Sequence, residues 1–486
     1  MAVSTASQTY SNELEVFVNQ QRAAVDLQHC IGKLLLEKSI ELVLFRNHLV
    51  DVNTSDILRL HSYAAEVVGK PISVFDSAEL ADHIYQMDLA PAKIDIGKLS
   101  AEWLAERDRF NNKTDFLEDK LGNFLNDGGD SLEPRDVVLY GFGRIGRLCA
   151  RELIKQAGKG QQLRLKAIVT RKVDETILEK RAGLLANDSV HGEFAGSIQV
   201  DYDLQCLLIN GQRVQMIAAN DPSEIDYTQY GINNALIVDN TGVFRDREAL
   251  SLHLRSKGAE KVILTAPGKG VPNIVYGINH RDLNIEQEDV YSAASCTTNA
   301  ISPVLKVIED TYGIQHGHIE TVHAYTNDQN LLDNMHKKHR RGRSAAVNMV
   351  ITETGAGKAV TKVIPDLDGK LTANAVRVPT PNGSLAILNL TLGKSVEREE
   401  LLGSLKAAAL HGDLVNQIHY SINEELVSND IIGNECCSVF DSPATIVSQD
   451  GNNVVLYVWY DNEFGYTKQV IRLAKYVAKV RRNIYY

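Results

Sequence analysis

A cysteine stands in the polar run Ser295, Cys296, Thr297, Thr298 and Asn299. A β-rich apolar stretch, 289–294, precedes it, and a helical pattern of Ile301, Val304, Leu305 and Ile308 follows. At a helix start the backbone N–H groups are free to face an anion, and the dipole favours negative charge. Both effects lower a thiol's pKa, and the thiolate is the nucleophilic form. A lone cysteine is more commonly a buried structural residue. Here the hydroxyl neighbours and the asparagine make a polar surround rather than a core. Further along, His323 lies in a strand-like run, 318–326. Brought to the thiol, its imidazole would give a Cys–His pair that works as acid and base. Downstream come the basic run 337–343, which includes Arg340, then Thr354 and Gly355, then a strand-like run, 371–377, ending in Arg377. Converging Arg and Thr side chains supply the fixed donors and positive charge that phosphate groups need. The run 337–343 also reads as a solvated charged face.

A second chemical motif precedes this one. The short apolar strand at 136–140 runs into Gly141, Phe142, Gly143, Arg144, Ile145, Gly146 and Arg147, and a helical pattern follows. This is GxGxxG in its required strand–turn–helix context. Gly141 allows the tight turn, Gly143 lets the backbone approach a pyrophosphate, and Gly146 lets helix and strand pack closely. The phosphates would sit at the helix N-terminus. A dinucleotide enzyme usually places a carboxylate for the adenosine ribose at the end of the next strand. Here that stretch, 167–172, ends in Arg171 and Lys172, with Asp174 nearby. An arginine there can pair with a 2′-phosphate, so the expected cofactor is NAD or NADP, with Arg171 favouring NADP or dual use.

These motifs need elements to hold them. Strand and helix patterns alternate through 163–170, 235–242, 261–265 and 273–276, which predicts a doubly wound, mainly parallel sheet. The last strand-like run, near Trp459 and Asn462, leads into a terminal helix with Val470, Leu473, Ala474 and Val477 on one face. The first segment reads as helical. Ile57, Leu60, Ala64, Val67 and Val68 share a face, Ser77 caps a shorter helix, and a longer charged one opens at Ser100 and carries Leu117, Leu121 and Phe124. The apolar run 34–50 would pack against a partner helix. Residues 126–134 are polar and turn-rich, as a linker is. The expected fold class is α/β: a Rossmann-type doubly wound parallel sheet plus an α+β catalytic domain, preceded by a helical N-terminal extension. The expected domains are 1–134, 135–295 (completed by the C-terminal helix 465–486) and 296–464. Residues 1–130 would be separable.

Net charge is −11, which argues against a general nucleic-acid binder. Six cysteines in 486 residues are too few for a disulfide framework, and none forms a CxxC pair, so no metal is expected. The first residues lack a basic n-region and an apolar h-region, and no stretch reaches membrane-spanning length. A cytoplasmic protein with no membrane partner is the expectation.

From about residue 135 onward the chain resembles phosphorylating glyceraldehyde-3-phosphate dehydrogenases. The matching pieces are 141–147, 188–192, 241–244, 294–299, 321–326, 377–382 and 459–465, in the family's order and spacing. The resemblance implies that Cys296 attacks the aldehyde and that His323 raises the thiolate fraction and takes the hydroxyl proton as hydride leaves. It implies that inorganic phosphate then releases the thioester as an acyl phosphate. Thr326 and Arg377 match the positions holding the phosphate of glyceraldehyde 3-phosphate. Ser295, Arg340 and Thr354 match the site for the attacking phosphate, with Thr297 and Gly355 beside them. Arg144 and Ile145 match pyrophosphate contacts; Thr241, Gly242 and Thr265 are further cofactor positions, and Asn462 fixes the nicotinamide amide. The family is usually a homotetramer.

Several positions depart from the family pattern. Tyr140 stands where Asn is usual, Arg171 where Asp is usual, Asn334 and Met335 where NAD-specific members have Leu-Pro, and Asn220 where Arg is usual. Ala300 replaces a second cysteine. Two alternatives stay open: erythrose 4-phosphate oxidation at the same nucleophile, and a regulatory or binding protein on a dehydrogenase scaffold. In the second, residues 1–134 would recruit an unknown partner.

Overall fold

The computed structural model describes residues 2–125 and 133–486. The chain forms two compact units, one of 1–133, 157–162 and 480–486, the other of 134–156 and 163–479. The expected linker lies, as far as residue 132, outside the described residues.

In the second unit, apolar runs build an eight-stranded sheet. Its order is Val290–Ser292, Ala259–Leu264, Ala235–Asp239, Arg135–Tyr140, Leu163–Thr170, Gln212–Ala218, Cys206–Ile209 and Ile198–Asp201. The first six are mutually parallel, and the last two pairings, through Cys206–Ile209, are antiparallel. Ala235–Asp239 is buried throughout, as a strand covered on both faces must be. The strand order turns back at Arg135–Tyr140, whose neighbours are Leu163–Thr170 on one side and Ala235–Asp239 on the other. Ligands bind at such a switch point, beyond the carboxyl ends of the strands. The expected strand at 273–276 is instead a loop with a single bridge, Asn273 to Ser292. The Asn273 amide turns back on Gly268 and Val271, closing a local turn in place of a ladder.

A second sheet in this unit runs Val350–Thr352, Leu371–Val378, Ile314–Ala324, Ser384–Leu392, Asn453–Tyr460, Ser438–Asp441 and Ile418–Ser421. Ser384–Leu392 alternates buried and less buried residues, the period-two pattern of a sheet with one face on a core. That core takes in Ile301, Val304, Leu305 and Ile308 of the helix Cys296–Tyr312. The parallel pairing of Ile314–Ala324 with Leu371–Val378 sets His323 directly opposite Arg377.

The first unit corrects the sequence reading in four places. It is not helical throughout, because it contains a four-stranded sheet in the order Asn47–His48, Glu41–Leu44, Ala92–Asp95, Asn483–Tyr485. The apolar run 34–50 therefore starts on the helix Ala2–Lys38, passes a left-handed Ser39 (φ 57°) and continues as strands. The helix expected from Ser100 begins earlier, as Ile96–Glu106 behind the cap Asp95, and stops before Leu117 and Leu121. Those two belong to a separate helix, Lys113–Leu121, capped by Asn112. Ser73, not Ser77, caps the helix Val74–Gln86. Finally, the C-terminus is divided. The helix Phe464–Val477 belongs to the second unit, whereas 480–486 belong to the first, where Asn483–Tyr485 pairs in parallel with Ala92–Asp95. A cut near residue 130 would leave that strand without its partner, so 1–130 is not a self-contained module.

Asp95 pins this small unit. It is fully buried and accepts bonds from the Phe45, Arg46 and Lys98 amides and from the Arg46 guanidinium at 2.8–3.1 Å. Among the described residues, no helix is long and apolar enough to cross a membrane.

Candidate active site

Cys296 is the first residue of its helix, as its neighbours predicted. Ser295 is the N-cap; its Oγ accepts from the Thr298 amide at 3.0 Å and lies 2.7 Å from Thr298 Oγ1. Asn299 Nδ2 donates to the Ala293 and Ser295 carbonyls at 2.8 and 2.9 Å, and Tyr466 donates to the Ala294 carbonyl at 3.0 Å. Ala294 itself has φ +55°, a strained conformation for a residue with a Cβ. The turn that presents the thiol is therefore held from both sides. Thr297 Oγ1 lies 3.0 Å from the Tyr460 hydroxyl.

Cys296 Sγ is 3.6 Å from His323 Nε2. His323 is 6% exposed, so little water supports a charge there. Burial, then the Arg377 and Arg341 guanidinium groups, push its pKa down to about 3, against a bond to the Ala324 carbonyl. Desolvation raises the Cys296 thiol, while Arg377 and bonds from Thr297 pull it down. Nδ1 of His323 lies 2.7 Å from the Ala324 carbonyl and 2.8 Å from Arg377 Nη1. These neighbours select opposite tautomers: the carbonyl accepts a hydrogen bond from a protonated Nδ1 and leaves Nε2 free to accept a proton from the thiol, whereas Arg377 donates to a bare Nδ1 and places the ring proton on Nε2.

In the basic run it is Arg341, not Arg340, that faces this pair. Arg340 is exposed and points to the Ile351 carbonyl at 3.5 Å. Arg341 is anchored by Asp328 and by Thr352 Oγ1 at 3.0 Å, and its charge acts on both His323 and Arg377. Successive side chains of the tight turn His339–Gly342 diverge, and the Asp328 ion pair decides which arginine turns inward. Thr326 is exposed just beyond the end of its strand, and Thr354 and Gly355 lead into the short helix Ala356–Thr361. Tyr460, which lies over His323 with ring centroids 5.9 Å apart, went unread because it looked like an ordinary strand residue.

At the other sheet, the glycines behave as their spacing demands. Gly141 has φ +91°, and a Cβ on Gly146 would meet the Gly141 carbonyl at 2.5 Å. Gly143 is open, and as N-cap of Arg144–Lys155 it leaves the first amides, including Ile145, without a side-chain cap. That cradle fits a pyrophosphate. It opens on a cleft of about 600 Å³ whose walls include Tyr140, Thr241 and Arg171. Arg144 does not reach out with its side chain, which is bound by Glu463 and by Asp188 at 3.2 Å. Thr241 donates to Asp239 Oδ1 at 2.7 Å, and Thr265 to the Asp239 carbonyl at 3.0 Å, with Gly242 (φ +65°) alongside. Asn462 is buried and accepts from Ser384 Oγ at 2.7 Å.

Comparison with known proteins matches this geometry to two family models. Residues 135–247 match the glyceraldehyde 3-phosphate dehydrogenase NAD binding domain, and 295–462 match the C-terminal domain of the same family. The chain belongs to the glyceraldehyde-3-phosphate dehydrogenase family. A glyceraldehyde-3-phosphate dehydrogenase-like protein of Pseudomonas aeruginosa is 50% identical over 454 residues, covering 93% of this chain and 98% of its own. Glyceraldehyde-3-phosphate dehydrogenases of Clostridium pasteurianum and Bacillus subtilis are 41% and 42% identical, each over 71% of this chain. They span 99% and 98% of their own lengths. The Pseudomonas match is too long to be confined to the dehydrogenase portion, so that relative shares much of the first unit. As a glyceraldehyde-3-phosphate dehydrogenase-family oxidoreductase, the chain carries an NAD-binding Rossmann sheet and a second sheet domain.

Proposed function

We propose that this protein is a phosphorylating aldehyde dehydrogenase that converts glyceraldehyde 3-phosphate and inorganic phosphate reversibly to 1,3-bisphosphoglycerate. The observation carrying this reading is the Cys296–His323 pair at 3.6 Å with Arg377 and Arg341 beside it. Cys296 sulfur adds to the aldehyde carbon, giving a hemithioacetal, and His323 Nε2 takes the hydroxyl proton as the C–H bond breaks. A nicotinamide dinucleotide, NAD or NADP, held at the Gly141–Gly146 turn would supply the hydride acceptor. A phosphate oxygen then attacks the thioester carbon, the C–S bond breaks, and the acyl phosphate leaves with the thiolate restored. Arg377 and Thr326 suit the substrate's own phosphate, and Arg341, Thr354 and Ser295 suit the attacking one. An anion on Arg377 would also draw it from Nδ1 and lift the positive potential that opposes an imidazolium. The residues suited to the cofactor are the Gly141–Gly146 turn, Arg171, Thr241, Thr265 and Asn462.

Leu331, Leu332, Met335, Val347 and Met349 are each 73–93% exposed, which supports burial of this loop between copies in a homotetramer. Cytoplasmic glycolysis or gluconeogenesis is the matching setting. The test is a steady-state assay with glyceraldehyde 3-phosphate, phosphate and each dinucleotide, with Cys296→Ser as control. Phosphate-dependent reduction that the variant lacks is expected. Phosphate-independent turnover, or turnover retained by the variant, would overturn the reading. Turnover with erythrose 4-phosphate in place of glyceraldehyde 3-phosphate would move the substrate assignment.

A further inference from the structure

The helix Ala2–Lys38 of the first unit carries two apolar faces. One is buried: Ala24, Leu27, Ile31 and Leu34 recur at helical spacing and belong to the core of that unit. The other is open. Tyr10, Leu14, Phe17, Val25 and Leu36, with Gln21, Gln28 and Gly32 between them, recur every three or four residues and form one stripe along the helix. Its five apolar members are each 46–67% exposed. At 3.6 residues per turn the stripe lies about 120° around the helix from the buried face. Residues 9–17 are all exposed, and Ala23 is the first buried residue among those described. About 30 Å of helix therefore precedes the core. A lone helix of that length is marginal in water unless one of its faces is packed.

We propose that a second copy of this chain docks on the stripe, helix Ala2–Lys38 against the same helix, antiparallel about a two-fold axis near Phe17 and Val18. In that register Phe17 of one copy meets Val18 of the other, Tyr10 meets Val25, and Leu14 meets Gln21. At Gly32 an added Cβ would find nothing within 4 Å, so the stripe is low where the start of the other helix would lie. Charge selects both occupant and direction. The charged residues of 9–22 are Glu13, Glu15 and Arg22, so the segment lacks the cations with which a helix holds an anionic lipid surface or a nucleic acid. Glu15 and Arg22 lie on one flank of the stripe and Glu13 on the other. Antiparallel helices bring like flanks together, so Glu15 of each copy meets Arg22 of the other, twice across the axis. A parallel pair brings opposite flanks together and sets Glu15 near Glu13, a like-charge contact. Five side chains about half exposed leave roughly 500 Å² of apolar surface per copy, on the order of 1,000 Å² for the pair before its polar flanks are counted. A stable interface takes about 1,200–2,000 Å², which the flanks complete.

The test is analytical sedimentation of the full-length protein at micromolar concentration. Leu331→Asp and Leu332→Asp are introduced first, to remove association through the exposed loop of the second unit. This background is expected to sediment as a dimer. Adding Leu14→Asp and Phe17→Asp, both at exposed positions, should halve the mass, whereas Phe17→Leu should keep it. A monomeric background, or one whose mass the Asp pair leaves unchanged, would overturn the proposal. Direction is read by oxidation of single added cysteines. Val18→Cys should form an intermolecular disulfide and Gln28→Cys should not, because residue 28 and its copy would stand about 30 Å apart along the helices. Cross-linking through Gln28→Cys but not Val18→Cys would overturn the antiparallel arrangement. Pelleting with phosphatidylcholine vesicles that the Asp pair abolishes, with sedimentation unchanged, would mean that a lipid surface covers the stripe in place of a second copy.

Discussion

Gly143 and Gly146 are three residues apart but fail differently when a methyl group is added. At Gly146 the added Cβ would lie 2.5 Å from the Gly141 carbonyl oxygen, whereas ordinary contact begins near 3.4 Å. The obstacle is the Gly141 backbone, which no rotamer change can clear, so the helix Arg144–Lys155 must retreat from the strand turn by about 0.9 Å. Overpacking of this kind costs about 1–3 kcal/mol. At Gly143 nothing lies within 4 Å, and its φ of −78° suits alanine. Gly143→Ala should cost no more than the ~1 kcal/mol of a weakened N-cap. Its Cβ would stand where the pyrophosphate approaches, and the same 1–3 kcal/mol would appear as a roughly five- to 150-fold loss of dinucleotide affinity. With only Trp103 and Trp459 in the chain, a Trp103→Phe background reports the second unit through Trp459 alone. Urea unfolding read at Trp459 and equilibrium titration with NAD and NADP then separate the two costs. Gly146→Ala should lower the unfolding midpoint, and Gly143→Ala should lower affinity with the midpoint nearly intact. A Gly143→Ala protein that binds normally, or that unfolds earlier than Gly146→Ala, would refute the assignment of separate duties to these glycines.

Other outcomes follow from the same structure. Lys468 is 3% exposed and contacts Glu152, 2% exposed, at 2.5 Å. Lys468→Met leaves a buried carboxylate unpaired and should cost about 3–5 kcal/mol, and adding Glu152→Gln should recover most of it in urea titrations. No recovery in the double variant would mean the ion pair is not the cause. Arg377 lowers the thiol's pKa, so Arg377→Leu should move the pH midpoint of Cys296 alkylation by iodoacetamide upward; a downward move would contradict the electrostatics. His323 falls from 6.5 to about 3 in the folded chain. A lowered folded-state pKa means its stabilising contribution is complete above pH 6.5 and is lost as pH falls toward 3, by up to about 5 kcal/mol. His323→Gln should flatten the stability profile in that window, and a profile of unchanged slope would show that His323 is not charged on unfolding.

The legible parts of this chain were those where one local rule suffices. GxGxxG after an apolar strand gave the cofactor turn because each glycine answers to a neighbour a few residues away. Cys296 was readable because cap, hydroxyls and helix pattern adjoin it. The adjacency of His323 and Arg377 was not readable, since it comes from the register of two strands separated by a long intervening segment. Arg340 and Arg341 are the same chemistry in sequence, and a contact with Asp328 chooses between them. The small sheet escaped because Glu41–Leu44 and Ala92–Asp95 are four-residue strands, too short for a period to show. Its last strand is contributed from the far end of the chain.

That last strand sets an order of birth. Ala92–Asp95 leaves the ribosome early, but Asn483–Tyr485 is encoded about 390 residues later. At roughly 5–20 residues per second, the wait is about 20–80 s. Throughout it, one side of Ala92–Asp95 is an open edge with unpaired N–H and C=O groups, the kind of template on which foreign strands add. The Tyr486 carbonyl, which accepts from Lys98 Nζ at 2.6 Å, arrives just after that strand. A nascent chain stalled between residues 312 and 483 carries a complete glycine turn and a complete cysteine helix, but a first unit that cannot close.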